Sequence, residues 1–542
     1  MANDKVKITF KPSGQIVKVL PETTILDAAL KAGIEIDVPC GGKGICGKCR
    51  VEVIEGASEP NANEKAVIST EQLAKGVRLA CQTKIYHEMK VKISQRNTSF
   101  EENILTDGVE SVIEWELNNG KMGKYGIAFD IGTTTLVGML VNLHDGKQLG
   151  VEGCSNPQAK FGDDVISRIN YCISHNKGLH ELHASIINKI NTIIKNLCKN
   201  SGIKKSEIYE ITVAGNTTMN HIFLGIDPSS LGYSPYKPCF VEPKNTKASD
   251  LKIDINENGN VYTLPNIAGY VGGDTVAGIL SSGMYNTDKI TLIVDIGTNG
   301  EIALGNKERI ITCSAAAGPA FEGARISQGM RADYGAIDKV VINDDVRVNV
   351  IGNVEPRGIC GTGLIDAVAE LLREGIIDNS GKINDIEHLT GNISDKIKNR
   401  IVKGENGTSF ILVEKENVDS KPIMLTQKDV RELQLAKGAI YAGIMILCRE
   451  YGIEPSEIEE ILLAGAFGNY INPKSAVRVG ILPNVSIERI KFIGNAAGSG
   501  AKLTLLSPKH RTIAEQIART AQYIELAANP DFQTIFMDAM GF

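Results

Sequence analysis

One pattern occurs twice in the chain and narrows the folds open to it: an apolar strand, then Asp-Ile-Gly-Thr, then a second strand. It stands as YGIAFDIGTTTLVGML at residues 125–140 and as LIVDIGTNGEIALG at 292–305. Two more features repeat in the same order. SEIYEITVAGN at 206–216 matches SEIEEILLAGA at 456–466, each an acidic start, an apolar strand and a small-residue turn. GYVGGDTVAGIL at 269–280 loosely matches GNAAGSGAKLTLL at 494–506, each the start of a helix rich in small residues. Three features repeated in order predict two lobes of like α/β fold, lobe I over residues 125–290 and lobe II over 291–542. Residues 376–425, rich in Asn, Asp, Lys and Glu, read as an insertion in the longer second lobe.

The repeated turn suits a polyphosphate. A carboxylate at the end of a buried strand can hold water bound to Mg²⁺. Gly132 and Gly297 let the backbone approach a phosphate closely. Thr133, Thr134, Thr298 and Asn299 offer hydroxyl, amide and backbone donors. One such turn is also an ordinary hairpin. Two, one per lobe, could clamp a single nucleotide between Asp130 and Asp295. Asp274, after Gly272-Gly273, is open to two readings: a carboxylate that orients an attacking water, or an acid satisfied by the N–H groups of its own helix start. GICGTGLIDAVAELL at 358–372 is equally open between an anion site and a plain helix start.

The first hundred residues carry four cysteines, Cys40, Cys46, Cys49 and Cys81. Three share one glycine-rich loop, CGGKGICGKC, spaced C-x5-C-x2-C. VKITF and QIVKVL read as a hairpin turning at Gly14, TTILDAALKAGI as a helix closed by Gly33, and RVEVI and MKVKI as further strands of a small mixed sheet. Glycines around the loop can turn N–H groups toward sulfur, which favours an iron–sulfur cluster. Structural zinc is the alternative, although zinc sites usually present two separated ligand pairs. Residues 96–124 are polar, contain the only tryptophan, Trp115, and read as a linker. The other seven cysteines make no close pairs and read as small buried hydrophobes, and His221 as structural.

Composition removes other classes. With 58 basic against 64 acidic residues and a net charge of −6, the chain has no electrostatic footprint for nucleic acid. It has no run of apolar residues long enough to span a membrane and no secretory pattern, so a cytoplasmic location is expected.

Residues 1–95 resemble the 2Fe–2S ferredoxins, in the adrenodoxin-like spacing that is one residue longer than the plant type. Residues 125–506 resemble the actin-like (ASKHA, ribonuclease H-like) ATPase superfamily in motif order. The fold implied is α/β, a β-grasp ferredoxin domain followed by a two-lobed ATPase. The resemblance implies Asp130–Thr135 and Asp295–Gly300 as phosphate loops and Gly272–Leu280 and Gly494–Leu505 as connecting helices. It implies Leu463–Gly468 as the adenosine loop, with Gly465, Ala466 and Phe467 at the nucleoside. Gln434 and Lys437, one turn apart in RELQLAKGAIYAGI at 431–444, would contact adenosine; a solvated helix face is the alternative. With AGNTTMNH, GPAFEGARISQGMRA and GICGTGLID, the whole chain resembles the reductive activators of corrinoid-dependent methyltransferases. That implies a 2Fe–2S cluster on the four cysteines, ATP with Mg²⁺, and one-electron reduction of a Co(II) corrinoid protein to Co(I). It also implies a low-potential electron donor and leaves room for a homodimer. Some relatives carry a middle domain that is expected to be missing here. A redox-regulated small-molecule kinase and a redox-gated chaperone-like ATPase are the competing expectations.

Overall fold

The computed structural model describes residues 5–34, 36, 42, 44, 47, 49–93, 124–297, 299–389, 393–404, 407–414, 422–468 and 470–542. The chain divides into two compact units, Met1–Glu102 with Pro157–His175, and Asn103–Asn156 with Asn176–Phe542. The linker expected over 96–124, Trp115 included, lies outside the described residues except for Lys124.

In the first unit, five strands pair in the order Ile16–Val19, Val6–Lys11, Met89–Lys92, Arg50–Glu55, Val77–Leu79. Val6–Lys11 runs parallel to Met89–Lys92 and every other pairing is antiparallel. The first hairpin turns at Gly14, whose φ of 72° favours glycine. The helix Ile25–Lys31 starts where the Thr24 side chain accepts from the Asp27 N–H. It buries Ile25, Ala28 and Ala29 against Ile8, Phe10, Leu79 and Val91. This is the β-grasp sheet that the alternating strands of the sequence call for.

In the second unit the duplication appears as two six-stranded sheets. The first runs Lys244–Lys247, Asn260–Thr263, Ile208–Gly215, Tyr125–Ile131, Thr135–Asn142, Gln148–Ser155. The second runs Ile490–Gly494, Glu460–Ala464, Thr291–Ile296, Gly300–Gly305, Ile310–Ala315, Gln522–Tyr523. In both, the strand that ends in the repeated Asp is antiparallel to the next in sequence and parallel to the strand of the second repeat. Strands covered on both faces read as continuous apolar runs, which is why each Asp motif follows one. The segment 376–425, read as an insertion, has regular structure. Its strands Ile401–Gly404, Gly407–Val413 and Ile423–Thr426 form a sheet, and Phe410, Leu412 and Leu425 join the core of lobe II. Among the described residues no helix is long and apolar enough to cross a membrane.

Helices Gly273–Ser282 and Ala496–Leu506 cross at their small residues. A Cβ on Gly500 would stand 2.2 Å from the Ala277 carbonyl oxygen and 2.5 Å from its Cα. The Ser281 hydroxyl donates to Ala496 O at 2.9 Å. The shared small-residue starts of the two segments therefore have one cause: each helix leaves room for the backbone of the other. Gly500→Ala is expected to cost about 1–3 kcal/mol by overpacking against backbone. Gly278→Ala, whose new methyl would meet its nearest neighbour, Ala496 Cβ, at 3.9 Å, is expected to be neutral or to stabilise by a few tenths of a kcal/mol or more, because Ala forms helix better than Gly. Denaturant midpoints of the two variants check this.

Candidate nucleotide and cluster sites

Asp130 ends the strand Tyr125–Ile131, Asp295 ends Thr291–Ile296, and Asp274 stands in the first turn of the helix Gly273–Ser282. The three are close enough to feel one another's charge. Burial, then the Asp274 and Asp295 carboxylates, push Asp130 up to about 7, against a hydrogen bond from the Asn495 side chain. Burial and the Asp274 charge push Asp295 up to about 7. Burial raises Asp274 to about 6, opposed by hydrogen bonds that include Thr275 N–H at 2.7 Å. Asp274 thus accepts from N–H groups of its own helix start and lies within reach of the charges of Asp130 and Asp295.

The sequence reading missed a fourth carboxylate. Glu301 stands directly opposite Asp295 in the antiparallel pair, so both side chains share one face. Burial, then Asp274 and Asp295, raise its pKa well above the usual range, while a hydrogen bond with the Asn299 side chain lowers it. The signal was hairpin register. The second hairpin closes with Ile296 opposite Gly300, which turns Glu301 toward the carboxylates. The first closes with Ile131 opposite Leu136, which sets Val137, an apolar residue, opposite Asp130. The two D-I-G-T loops are therefore unequal, and only one carries a paired acid. Like charges directly opposite destabilise a sheet, so this cluster calls for protons or a cation. Carboxylate oxygens are ligands for a hard cation such as Mg²⁺. Among the described residues no three Asp, Glu, His or Cys side chains converge on one point to hold an ion.

The surrounding loops are tight. Gly132 N–H donates to Thr135 O at 2.9 Å, and Gly132 O accepts from Asn156 Nδ2 at 2.8 Å. Thr133 Oγ1 accepts from Asn216 Nδ2 at 3.0 Å, and Thr134 Oγ1 donates to Glu322 Oε1 of lobe II at 3.0 Å. Gly297 N–H donates to Asn299 O at 3.0 Å. Gly465, with φ of 83°, lies so close to Asp295 that a Cβ would stand 2.3 Å from Oδ1. This joins the LAGAFG loop to the carboxylates. Thr298 and the side chains of Ala466 and Phe467 lie outside the described residues.

Gln434 and Lys437 do not lie on a solvated helix face. The helix Gln427–Tyr451 is packed on nearly every side, and both residues are buried. Gln434 Nε2 donates to Met540 O at 2.6 Å and Ser380 O at 3.0 Å. Lys437 Nζ donates to Gly541 O and lies over the Phe542 ring, and burial lowers its pKa to about 8. Neither forms a solvated face, and the carbonyls of 540 and 541 engage both side chains. The helix Gly361–Arg373 has no side-chain cap. Of the seven body cysteines, Cys198, Cys313, Cys360 and Cys448 are buried as expected, whereas Cys154 and Cys172 are half-buried and Cys239 is exposed. His221 is structural: Nδ1 donates to Thr217 O at 2.7 Å and Nε2 accepts from Cys239 N–H at 3.0 Å.

In the first unit, Cys49 and Cys81 are buried with their sulfurs 3.3 Å apart. A disulfide would need about 2.05 Å, so the two sulfurs are presented side by side. The buried Glu64 fixes the Cys81 segment: its Oε1 accepts from Leu79 N–H at 2.9 Å and from the Thr83 hydroxyl at 2.7 Å. Two adjacent sulfurs on a rigid support fit an iron–sulfur cluster. Cys40 and Cys46 lie outside the described residues.

Comparison with known proteins accounts for most of the chain. The 2Fe-2S iron-sulfur cluster binding domain matches residues 8–86, the RACo middle region 125–287, and the C-terminal domain of RACo, the ASKHA domain, 289–542. Corrinoid activation enzyme RamQ of Eubacterium limosum is 35% identical over 99% of both chains. The Co(II) methylated amine-specific corrinoid protein reductase of Methanosarcina barkeri is 27% identical over 77% of each. Among solved structures, a reductive activator for corrinoid,iron-sulfur protein is 36% identical, covers 99% of this chain and 98% of its own, and superposes with a TM-score of 0.68. The middle-region match falls on the stretch read as lobe I, so the expectation that a middle region is missing does not stand.

The carboxylate cluster sets a pH dependence. Asp130 and Asp295, at about 7, hold protons that the unfolded chain, near 3.9, has released. Their contribution to stability is full below about pH 4 and is lost as pH rises through 7. Glu301→Gln is expected to raise the thermal midpoint of nucleotide-free protein at pH 8, by the equivalent of about 1 kcal/mol, and to shrink the further rise given by Mg²⁺–ATP. Thermal unfolding at pH 6 and pH 8, with and without Mg²⁺–ATP, checks both signs.

Proposed function

The chain belongs to the family of reductive activators of corrinoid proteins, and from that membership we infer that it uses ATP to drive one-electron reduction of an inactive Co(II) corrinoid, held on a methyltransferase partner protein, to Co(I). The observation that supports the ATP requirement is the half-buried group Asp130, Asp274, Asp295 and Glu301, drawn from two duplicated lobes. Such a group has no use in simple electron transfer.

Cys40, Cys46, Cys49 and Cys81 are the proposed cluster ligands; when bound, a 2Fe–2S centre of ferredoxin type supplies one electron at about −400 mV. A Co(II)/Co(I) couple is expected to lie lower. An uphill gap of about 100 mV costs roughly 2.3 kcal/mol for one electron, so the transfer alone is unfavourable. A low-potential donor refills the centre, and the energy enters through the body.

Asp130 and Asp295 orient Mg²⁺–ATP, with Glu301 adding charge beside Asp295. Gly132, Thr133, Thr134, Gly297, Thr298 and Asn299 receive the phosphates, and Asp274 holds the attacking water. Gly465 lets the nucleoside loop approach. Closing the lobes over nucleotide changes the surface offered to the corrinoid protein, so that binding and release follow the nucleotide state. Gln434 and Lys437 act here by holding residues 540–541, one step away from the nucleoside.

Asp295→Asn is expected to lower ATP hydrolysis about 10–100-fold through loss of metal positioning, leaving the visible absorption of the cluster intact. Cys49→Ser is expected to do the reverse. Phosphate release with and without Co(II) corrinoid protein, beside iron content and visible spectra, measures both. Release that requires a small-molecule acceptor and yields a phosphorylated product would favour the kinase reading instead.

A further inference from the structure

The residue after the fourth cysteine is held in an unusual way. Gln82 Nε2 lies 2.6 Å from Gly42 O and 3.7 Å from Cys81 Sγ. Its Oε1 accepts from Asn63 Nδ2 at 3.0 Å. A carbonyl oxygen can only accept, so the end of the amide facing Gly42 must be the NH₂. The nitrogen also lies 3.4 Å from Cys81 O, so its two hydrogens are shared among Gly42 O, Cys81 O and the Cys81 sulfur. The glycine at 44 is fitted against this amide. Gly44 has φ of 74°, and a Cβ there would stand 2.6 Å from Gln82 Cδ.

The support is equally specific. Asn63 belongs to the short helix Ala62–Val67, beside Glu64. Glu64 fixes the backbone on either side of Cys81 through Leu79 N–H and the Thr83 hydroxyl. One helix thus fixes both the segment that carries the sulfur and the amide directed at that sulfur.

We propose that in the cluster-loaded protein Gln82 donates an N–H to the Cys81 sulfur and so raises the reduction potential of the cluster, with Asn63 as the positioning residue that holds the amide in that orientation. This rests on the reading of the four cysteines as cluster ligands. Reduction adds one electron and no proton, so negative charge on the sulfurs grows. A hydrogen bond to a charged acceptor strengthens with that charge, which favours the reduced form. The consequence is a centre that its donor can fill. Without the bond it becomes a stronger reductant that is harder to charge.

The test is an EPR-monitored redox titration of the full chain, purified anaerobically, as Gln82→Leu and Asn63→Ala variants. Asn63 is exposed, so its truncation leaves the core alone. Both variants are expected to keep the iron content and visible spectrum of the parent. Gln82→Leu is expected to reduce about tenfold less readily at a fixed donor potential, a midpoint about 59 mV lower. Asn63→Ala is expected to shift in the same direction by less. A Gln82→Leu midpoint equal to the parent's overturns the assignment. If Gln82→Leu fails to load iron, Asn63→Ala decides: a lowered midpoint supports the proposal and an unchanged one overturns it. A parent protein that holds no iron is a different result, and it removes the cluster reading itself.

Discussion

Four half-buried carboxylates that feel one another's charge cannot all ionise without cost unless something positive joins them. At ordinary pH, Asp130 and Asp295 sit at the edge of ionisation, and Asp274 and Glu301 add to the repulsion. The rest of the body is arranged about this conflict. The duplicated strands deliver one Asp from each lobe, and the hairpin of lobe II sets Glu301 opposite its own. Gly465 gives up a side chain so that its loop can reach Asp295. The helices that meet at Gly500 and Ala277 carry Asp274 at one end and small residues at the crossing, so their backbones approach closely. A fold that stores like charge at its hinge has its lobe arrangement set by whatever neutralises that charge, and Mg²⁺–nucleotide is the ligand whose chemistry fits.

Much of this was legible in the sequence because duplication and spacing are one-dimensional signals. The paired D-I-G-T motifs gave the same strand order in both sheets, and the alternating strands around C-x5-C-x2-C gave the β-grasp sheet. What escaped depends on three-dimensional register. Glu301 could be assigned only once Ile296 was known to face Gly300, since one residue of slip would turn it away. Gln434 and Lys437 lie on one helical face, but periodicity does not say how many neighbours enclose a helix. The residues 540–542 that cover them are remote in sequence. The segment 376–425 read only as an insertion because its polar residues outnumber the alternating Phe410 and Leu412, which do the packing. Cys239 belongs to the same class of error: its N–H caps His221, and its thiol is left exposed.

The first unit answers a different physical demand. Cys49 and Cys81 are held 3.3 Å apart by a rigid frame, and Glu64 and Asn63 extend that frame from one short helix. A redox centre built this way reorganises little when it gains an electron.

The claim that nucleotide state drives the electron uphill is tested most directly on the protein-bound corrinoid. Co(I) absorbance is followed at a fixed chemical reductant potential with ATP, with a non-hydrolysable analogue and with no nucleotide. The account predicts a clearly larger Co(I) yield with ATP than without nucleotide. Equal yields under all three conditions would contradict it.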